Sequence, residues 1–275
     1  MNFKDAWRES LAIYLLLLSD PRRVLRFAGA PALVLAVLGV AQMTRSGEGG
    51  GSLLLFLSVL GMIWGLGVWT VRWSRFLLFG EDNVQFWDMP FERRMWRTGG
   101  LLLSMLLLSG LVSILPASVF MTLLAGVTGH GLGSGEAPPD PATLATILPG
   151  WFQLVTYLVI IFLTLLPVAR LGPAMGSVVQ DGRFVMGASW KATGHLFGLP
   201  PLLALVLVNL PIQAPAALLL IWGIKDGSLL VVFLANILLS ITHPLVTATT
   251  ALLWARIYGV AIGPYQPRII VRDEE

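Results

Sequence analysis

The sequence contains no cysteine, and charged residues make up only 12% of its 275 positions. Without cysteine the chain forms no disulfide, iron–sulfur cluster or thiolate metal site. Soluble domains carry about 25% charged and about 45–50% apolar residues. A chain with 56% apolar residues and so little charge is not an ordinary soluble domain, and we interpret it as a membrane protein.

Charge is absent from six stretches of the chain. Crossing the hydrocarbon core of a bilayer requires about 20 consecutive apolar residues, and only the first stretch is marginal in length. The six stretches are 27–44, 49–71, 98–135, 141–169, 192–224 and 227–255. We therefore predict an all-α, polytopic membrane protein that forms a single integral membrane domain over 1–275, with an interfacial segment at 1–20 and spans at about 24–43, 52–71, 99–121, 150–169, 199–223 and 229–256.

The basic residues follow this predicted topology instead of forming one face. Of the 18 Lys and Arg residues, all but Arg45 and Lys225 fall in segments on one side of the six spans. The positive-inside rule assigns that side to the cytoplasm. We predict a protein of the bacterial inner membrane with both termini in the cytoplasm. Because the positive charge follows the membrane edge, we expect lipid and other membrane-protein subunits as partners, and no nucleic acid.

A pattern of Trp beside a basic residue appears three times, each time before a pair of spans that ends in arginine. The pattern predicts amphipathic helices in the cytoplasmic headgroup layer, with aromatic rings in the acyl boundary and cations on lipid phosphates. Alternatively, the three segments are ordinary sequence that flanks membrane helices, and their similarity does not reflect an internal duplication. The predicted lipid-interface residues are Trp7, Arg8, Trp96, Arg97, Trp190 and Lys191, with Arg72, Arg75, Arg170 and Arg256 at the exits of the spans.

The faces of these three segments differ. In the first, Phe3, Trp7, Leu11 and Tyr14 share a helical face. In the middle segment, Asp88 is predicted to cap a helix that begins at Met89-Pro90. In the third, the same spacing predicts a face formed by Met186, Trp190, Gly194 and Phe197.

One group of polar residues lies inside the predicted spans. If the fifth and sixth spans are antiparallel, their polar side chains fall at matching depths. One interpretation is a polar cavity for a ligand headgroup, and the other, which we favour, is hydrogen bonding that fixes the two helices together. The residues are Asn209, Gln213, Asn236, Ser240 and His243.

Groups that could perform catalysis are scarce. No span contains Asp, Glu, Lys or Arg away from its ends, whereas proton-coupled carriers place such residues near the middle of the membrane. The three histidines, His130, His195 and His243, lie in different segments, and no metalloprotease, nucleophile-elbow or phosphate-loop motif occurs. We expect a protein that is not an enzyme and that has no cofactor and no metal.

Two stretches, Val71–Glu81 and Ala188–Gly194, support a resemblance. They resemble bacterial six-helix integral membrane proteins that are loosely similar to the membrane domain found beside glycerophosphodiester phosphodiesterases. The sequence departs from that pattern at Ser74, where the family has His, and at Thr193-Gly194-His195. The phosphodiesterase active site belongs to a separate soluble barrel, so the resemblance implies a membrane domain without hydrolase activity.

These observations leave three hypotheses of different classes. The first is a non-enzymatic inner-membrane protein that associates laterally with lipid or with a larger membrane complex, in an accessory or assembly role. The second is a carrier or flippase for an amphipathic molecule that uses the polar residues between the fifth and sixth spans. An intramembrane enzyme comes last.

Overall fold

A computed structural model describes residues 2–45, 51–128, 150–180 and 184–262. These residues are almost entirely helical, and none of them lies in a β-strand. The helices are α1 (Phe3–Ser19), α2 (Pro21–Arg45), α3 (Gly51–Phe79), α4 (Arg93–Thr128), α5 (Gly150–Leu171), α6 (Met175–Val179), α7 (Met186–Thr193), α8 (Leu199–Lys225) and α9 (Leu229–Ala261), with short 3₁₀ turns at Gly172–Ala174 and His195–Gly198.

Four of the helical segments are long and apolar enough to cross a membrane: Leu53–Phe79, Arg93–Val112, Leu158–Val179 and His195–Gly223. They overlap the second to fifth predicted spans, so the prediction of an all-α membrane protein is confirmed at that level. The other two predicted spans, 24–43 and 229–256, fall within α2 and α9.

The first predicted span is interrupted. The backbone of Gly29 has φ 49° and ψ −155°, which is not helical, and Pro31 follows in the next turn of α2. An L-amino acid with a side chain is strained in this region of φ and ψ, whereas glycine is not. Beyond the break, α2 runs only from Ala30 to Arg45, about 24 Å at 1.5 Å per residue.

Local caps explain where the first helices meet. The side chain of Asn2 accepts a hydrogen bond from the Asp5 backbone N–H, and that of Asp5 accepts one from Asn2, which forms a capping box for α1. The Asp20 carboxylate then accepts a hydrogen bond of 3.0 Å from the Arg23 N–H, and Pro21 occupies the first position of α2. The chain therefore turns from α1 into α2 within one residue.

The structure divides into two compact units, Met1–Leu103 with Ala169–Glu275, and Ser104–Val168. In the first unit, α9 is central and contacts α1, α2, α3, α6 and α8. Its small residues Ala248, Ala251 and Ala255 are buried, which allows neighbouring helices to approach closely. The second unit consists of residues 104–128 of α4 and 150–168 of α5, whose described side chains include many exposed leucines.

Helices α3 and α4 cross at two glycines. A methyl group at Gly67 would overlap the Met95 carbonyl, and one at Gly99 would overlap the Ile63 carbonyl. Both obstacles are backbone, so neither could move aside cheaply. The crossing places the end of α3 and the start of α4 side by side.

Candidate functional site

Of the five polar residues predicted between the fifth and sixth spans, Asn209 binds two threonines of α9. The Asn209 side-chain amide donates to the Thr250 hydroxyl (2.9 Å), and its carbonyl oxygen accepts from the Thr249 hydroxyl (2.8 Å). Gln213 and His243 are exposed. The side chains of Asn236 and Ser240 lie outside the part of the chain that the structure describes.

Helix α1 presents two different faces. Its buried residues are Ala6, Ser10, Ile13 and Leu17. The hydroxyl of Ser10 lies 2.7 Å from the Ala6 carbonyl oxygen within α1 and 3.4 Å from that of Ala204 in α8. The opposite face consists of the exposed Phe3, Trp7, Leu11, Leu15 and Leu18.

Tyr14, which we predicted on the same face as Trp7, points towards α8 instead. Its hydroxyl donates to the Val208 carbonyl (2.6 Å) and lies 3.3 Å from the Leu207 carbonyl oxygen. The latter oxygen lacks its usual helical partner, because Pro211 has no N–H. The sequence of α1 alone could not predict this contact, because the contact depends on a proline in α8.

The three predicted aromatic and basic segments are all exposed in part. Trp7 is 62% exposed, Trp190 42% and Trp96 36%, and Arg8, Arg97 and Lys191 are exposed beside them. In the middle segment the helix begins at Arg93 and not at Met89. The Asp88 carboxylate accepts from the Gln85 N–H in a turn and therefore does not cap α4 there.

The arginines at the exits of the spans, which we call the exit arginines, contact the segment that precedes the next pair of helices. The last of them contacts the first segment of the chain. Arg256 forms an ion pair with Glu9 of α1. Arg170 donates to the Trp190 carbonyl (2.9 Å), and its guanidinium lies 3.6 Å from the centroid of the Trp190 ring. The Arg170 carbonyl oxygen in turn accepts from the Ser189 hydroxyl (2.6 Å).

Arg72 is the most deeply buried of these arginines, with 5% of its surface exposed. Its two terminal nitrogens donate to the carbonyl oxygens of Phe27 (2.9 Å) and Asp88 (2.8 Å). A planar guanidinium can reach two acceptors in different directions, which an ammonium group cannot do as well. Arg72 thereby joins α2 and the segment after α3 to α3 itself.

The backbone break at Gly29 belongs to this arrangement. A methyl group at Gly29 would lie 2.5 Å from the Phe86 carbonyl oxygen and 3.3 Å from the Arg72 guanidinium. The next residue, Ala30, donates its N–H to the same Phe86 oxygen (2.8 Å). The break therefore lets α2 bind the backbone of the segment that follows α3.

That segment, residues 80–92, has no regular secondary structure but is held at many points; we call it the anchored segment. Besides the contacts of Phe86 and Asp88, the Trp64 indole donates to the Pro90 carbonyl (2.9 Å) and stacks on Phe91. Asp82 binds Arg23 and Arg26 of α2. Side chains of two helices thus hold the anchored segment in place.

Electrostatic interactions also order the start of α2. The hydrogen bond from the Arg23 N–H, with the positive charges of Arg23 and Arg26, holds the pKa of Asp20 below its ordinary value, although partial burial acts in the opposite direction. Arg23 also lies over the Phe76 ring, 4.3 Å from its centroid. The first turn of α2 is therefore tied to both α3 and the anchored segment.

Between the anchored segment and the ends of α3 and α4 lies a pocket of about 480 Å³. Its charged side chains form ion pairs, Arg75 with Glu81 and Arg94 with Glu92, and the Arg72 guanidinium borders it near Asp88. The lining is electrically balanced, with three arginines and three carboxylates. The remaining lining residues are Val71, Asn83, Val84, Met89, Pro90 and Met95.

Sequence reasoning named two of the three arginines of this pocket, Arg72 and Arg75, as site residues, and missed Arg94 and the carboxylates. Four of the residues in 80–92 are acidic, on the side of the predicted membrane where basic residues dominate. That local excess of acid was the available signal, since carboxylates among arginines at a membrane edge indicate ion pairing. Among the residues that the structure describes, no three His, Asp or Glu side chains converge as metal ligands would.

No family model, characterised protein or solved structure matches this chain. The two stretches that carry the resemblance contain residues of the contacts described above. Val71–Glu81 contains Arg72 and Arg75 of the pocket, and Ala188–Gly194 contains Ser189 and Trp190 of the Arg170 contact. Both stretches therefore lie where an exit arginine meets the segment before the next helices.

Proposed function

We propose that the protein is a non-enzymatic, multi-pass protein of the bacterial inner membrane that acts by lateral association with lipid or with a larger membrane complex, in an accessory or assembly role. The observation that carries this proposal is the apolar surface of the long helices. Large apolar side chains such as Leu107, Leu158, Leu218 and Leu230 are more than half exposed. A soluble monomer rarely exposes so many large apolar side chains on its helices, because their contact with water is unfavourable.

We propose six spans with both termini in the cytoplasm. The charge distribution supports this orientation, since Arg45 and Lys225 are the only two basic residues on the opposite side. The helical state of α2 and α9 supports the first and sixth spans, although α2 is broken at Gly29. The six-helix resemblance supports the same count and suggests kinship with the membrane domains described above.

Reporter fusions test the orientation. A periplasm-active reporter placed after Glu275 should be inactive, and the same reporter placed after Lys225, in the turn between α8 and α9, should be active. Full activity after Glu275 together with no activity after Lys225 would reverse the proposed topology.

The absence of cysteine makes the lipid-facing surface directly measurable, because one introduced cysteine carries a spin label at one position only. In α8, Leu218 is 67% exposed and the nearby Ala216 is fully buried. We expect a label on L218C to be relaxed by dissolved oxygen, which partitions into lipid, and hardly by a water-soluble nickel chelate. A label on A216C, the matched control, should respond weakly to both.

The carrier hypothesis rests on the polar residues of α8 and α9. Asn209 uses both ends of its amide in bonds to Thr249 and Thr250. Such mutual satisfaction supports the interpretation as helix packing more than that of a ligand cavity. We therefore retain association with lipid or a membrane complex as the proposed function.

A further inference from the structure

The pocket beside the anchored segment has the location of a lipid-headgroup site. It lies where two apolar helices, Leu53–Phe79 and Arg93–Val112, approach each other at their ends. Charge is absent from 49–71 and again from 98–135, and the pocket is formed by the residues between those stretches. Its depth is therefore that of the boundary between acyl chains and headgroups, provided that the protein spans the membrane as proposed above.

Large apolar side chains on or beside the anchored segment are exposed, and we call this set the rim; of its members, Met89 also lines the pocket. Phe79, Trp87, Met89 and Phe91 on or beside the anchored segment are all exposed, Trp87 at 73% and Phe91 at 67%. A tryptophan such as Trp87 favours the headgroup level, because its indole is apolar and carries one N–H donor. A molecule in the pocket would thus meet charged groups with its head and apolar groups with the part attached to it.

The charge of the lining decides the class of headgroup. Arg75 and Arg94 each pair with a carboxylate whose side chain is about half exposed, 47% for Glu81 and 49% for Glu92. A purely anionic headgroup would meet those carboxylates as well as the arginines. A zwitterion would place its phosphate near the guanidinium groups and its cation near the carboxylates, extending the alternation of charges that the pocket already has.

The chemistry of the lining also selects among zwitterions. Quaternary ammonium groups are bound by aromatic cages, and none of the described residues that line the pocket is aromatic. A primary ammonium instead donates N–H bonds, which a carboxylate of the lining, such as that of Glu81 or Glu92, can accept without an aromatic cage. The volume of about 480 Å³ falls within the range of about 300–1,000 Å³ for small-molecule sites.

We propose that this pocket binds the phosphoethanolamine headgroup of a phospholipid. The phosphate contacts Arg75 and Arg94, the ammonium contacts the carboxylates of the anchored segment, and the acyl chains lie along the exposed apolar rim. The proposal deepens the proposed function, on which it rests, by naming the lipid class.

The first test uses the unaltered protein in nanodiscs that contain equal amounts of phosphatidylethanolamine, its monomethyl and dimethyl forms, phosphatidylcholine and phosphatidylglycerol. Native mass spectrometry then measures which lipid remains bound. We expect retention to fall with each added methyl group, as N–H donors are lost, and phosphatidylglycerol to bind less than phosphatidylethanolamine. Equal retention along the series, or a preference for phosphatidylglycerol, would overturn the proposal.

Two substitutions separate the halves of the headgroup. Arg94→Gln should weaken retention of phosphatidylethanolamine about tenfold, the effect of losing one hydrogen bond to a charged group. The matched control, Arg93→Gln, removes the same charge from an exposed residue of the same helix that does not line the pocket. Glu92→Gln should instead shift the preference towards phosphatidylglycerol, because the lining becomes net positive.

Free phosphoethanolamine distinguishes the headgroup alone from the whole lipid. If the rim contributes, millimolar phosphoethanolamine should displace the lipid only partly; full displacement would contradict a role for the rim. Selective binding that Arg94→Gln leaves unchanged would place the lipid elsewhere and overturn the pocket assignment. If the unaltered protein shows no lipid selectivity but retains a stoichiometric protein partner, the headgroup site is overturned, while lateral association with a membrane complex stands.

Discussion

Two regions of this protein place polar residues beside apolar helices, and they do so in different ways. Between α8 and α9, both ends of the Asn209 amide form hydrogen bonds with the hydroxyls of Thr249 and Thr250, so these bonds join the two helices to each other. At the end of α3, Arg72 is satisfied by backbone carbonyls, while Arg75, Arg94 and their carboxylates surround an open pocket. The first arrangement fixes two helices together, and the second holds a charged surface open to a ligand.

The largest expected effect concerns Arg72. Arg72→Leu removes two hydrogen bonds from a charged, buried donor and leaves the carbonyls of Phe27 and Asp88 without it, so unfolding in detergent should become easier by about 3 kcal/mol or more. Arg97→Leu, at an exposed position, should change stability by less than about 0.5 kcal/mol. Similar losses for both variants would show that Arg72 does not hold the anchored segment.

The second largest loss of stability is expected from a substitution at Gly29. Gly29→Ala places a side chain in a strained backbone conformation and against the Phe86 carbonyl, at an expected loss of about 2 kcal/mol in the free energy of unfolding. At Gly100, inside α4, a methyl group would meet nothing within 4 Å, and Gly100→Ala should raise stability by up to about 1 kcal/mol. Thermal unfolding of the two variants in one detergent measures both, and an unchanged G29A protein would contradict the described break in α2.

Asn209 should matter less. Asn209→Leu is expected to lower the free energy of unfolding by about 1 kcal/mol, since hydrogen bonds between membrane helices are worth about 0.6 kcal/mol each. A double-mutant cycle with Thr249→Val should be non-additive, because the two side chains share a bond. Gln213→Leu, at an exposed position, should not reduce stability. A large loss from Gln213→Leu and none from Asn209→Leu would reverse the account of this helix pair.

The smallest effect is that of pH on Asp20. Because its folded-state pKa lies below the unfolded value of about 3.9, ionised Asp20 stabilises the fold above that value, and the contribution disappears as the pH falls through the folded pKa. The stability difference between the unaltered protein and Asp20→Asn should therefore be present at pH 6 and shrink as the pH falls below about 3.9. A difference that grows on acidification would contradict the lowered pKa.

The parts of the fold that follow from regular patterns were predictable. Long uncharged runs predicted the four apolar helices. Trp7 and Trp190 are exposed, and their placement at the membrane edge stays a prediction. Each of these features depends on residues close together in sequence.

The parts that depend on distant backbone were not predictable. Asp88 before Met89-Pro90 has the pattern of a helix cap, but the Pro90 carbonyl binds Trp64 and the Asp88 carbonyl binds Arg72, so that helix begins at Arg93 instead. The break at Gly29 likewise requires the Phe86 carbonyl, far along the chain. These contacts could not be predicted, because the sequence of one segment gives no information about which backbone carbonyls of a distant segment will lie beside it.

The contrast between the two regions is tested most directly by cryo-electron microscopy of the protein in nanodiscs formed from native membrane lipids. We expect non-protein density between Arg75 and Arg94 that continues over Trp87 and Phe91, and continuous protein contact between Asn209 and Thr250. Density for a ligand beside Asn209, with protein or bulk solvent alone in the pocket at the end of α3, would contradict the assignment of packing to the one region and lipid contact to the other.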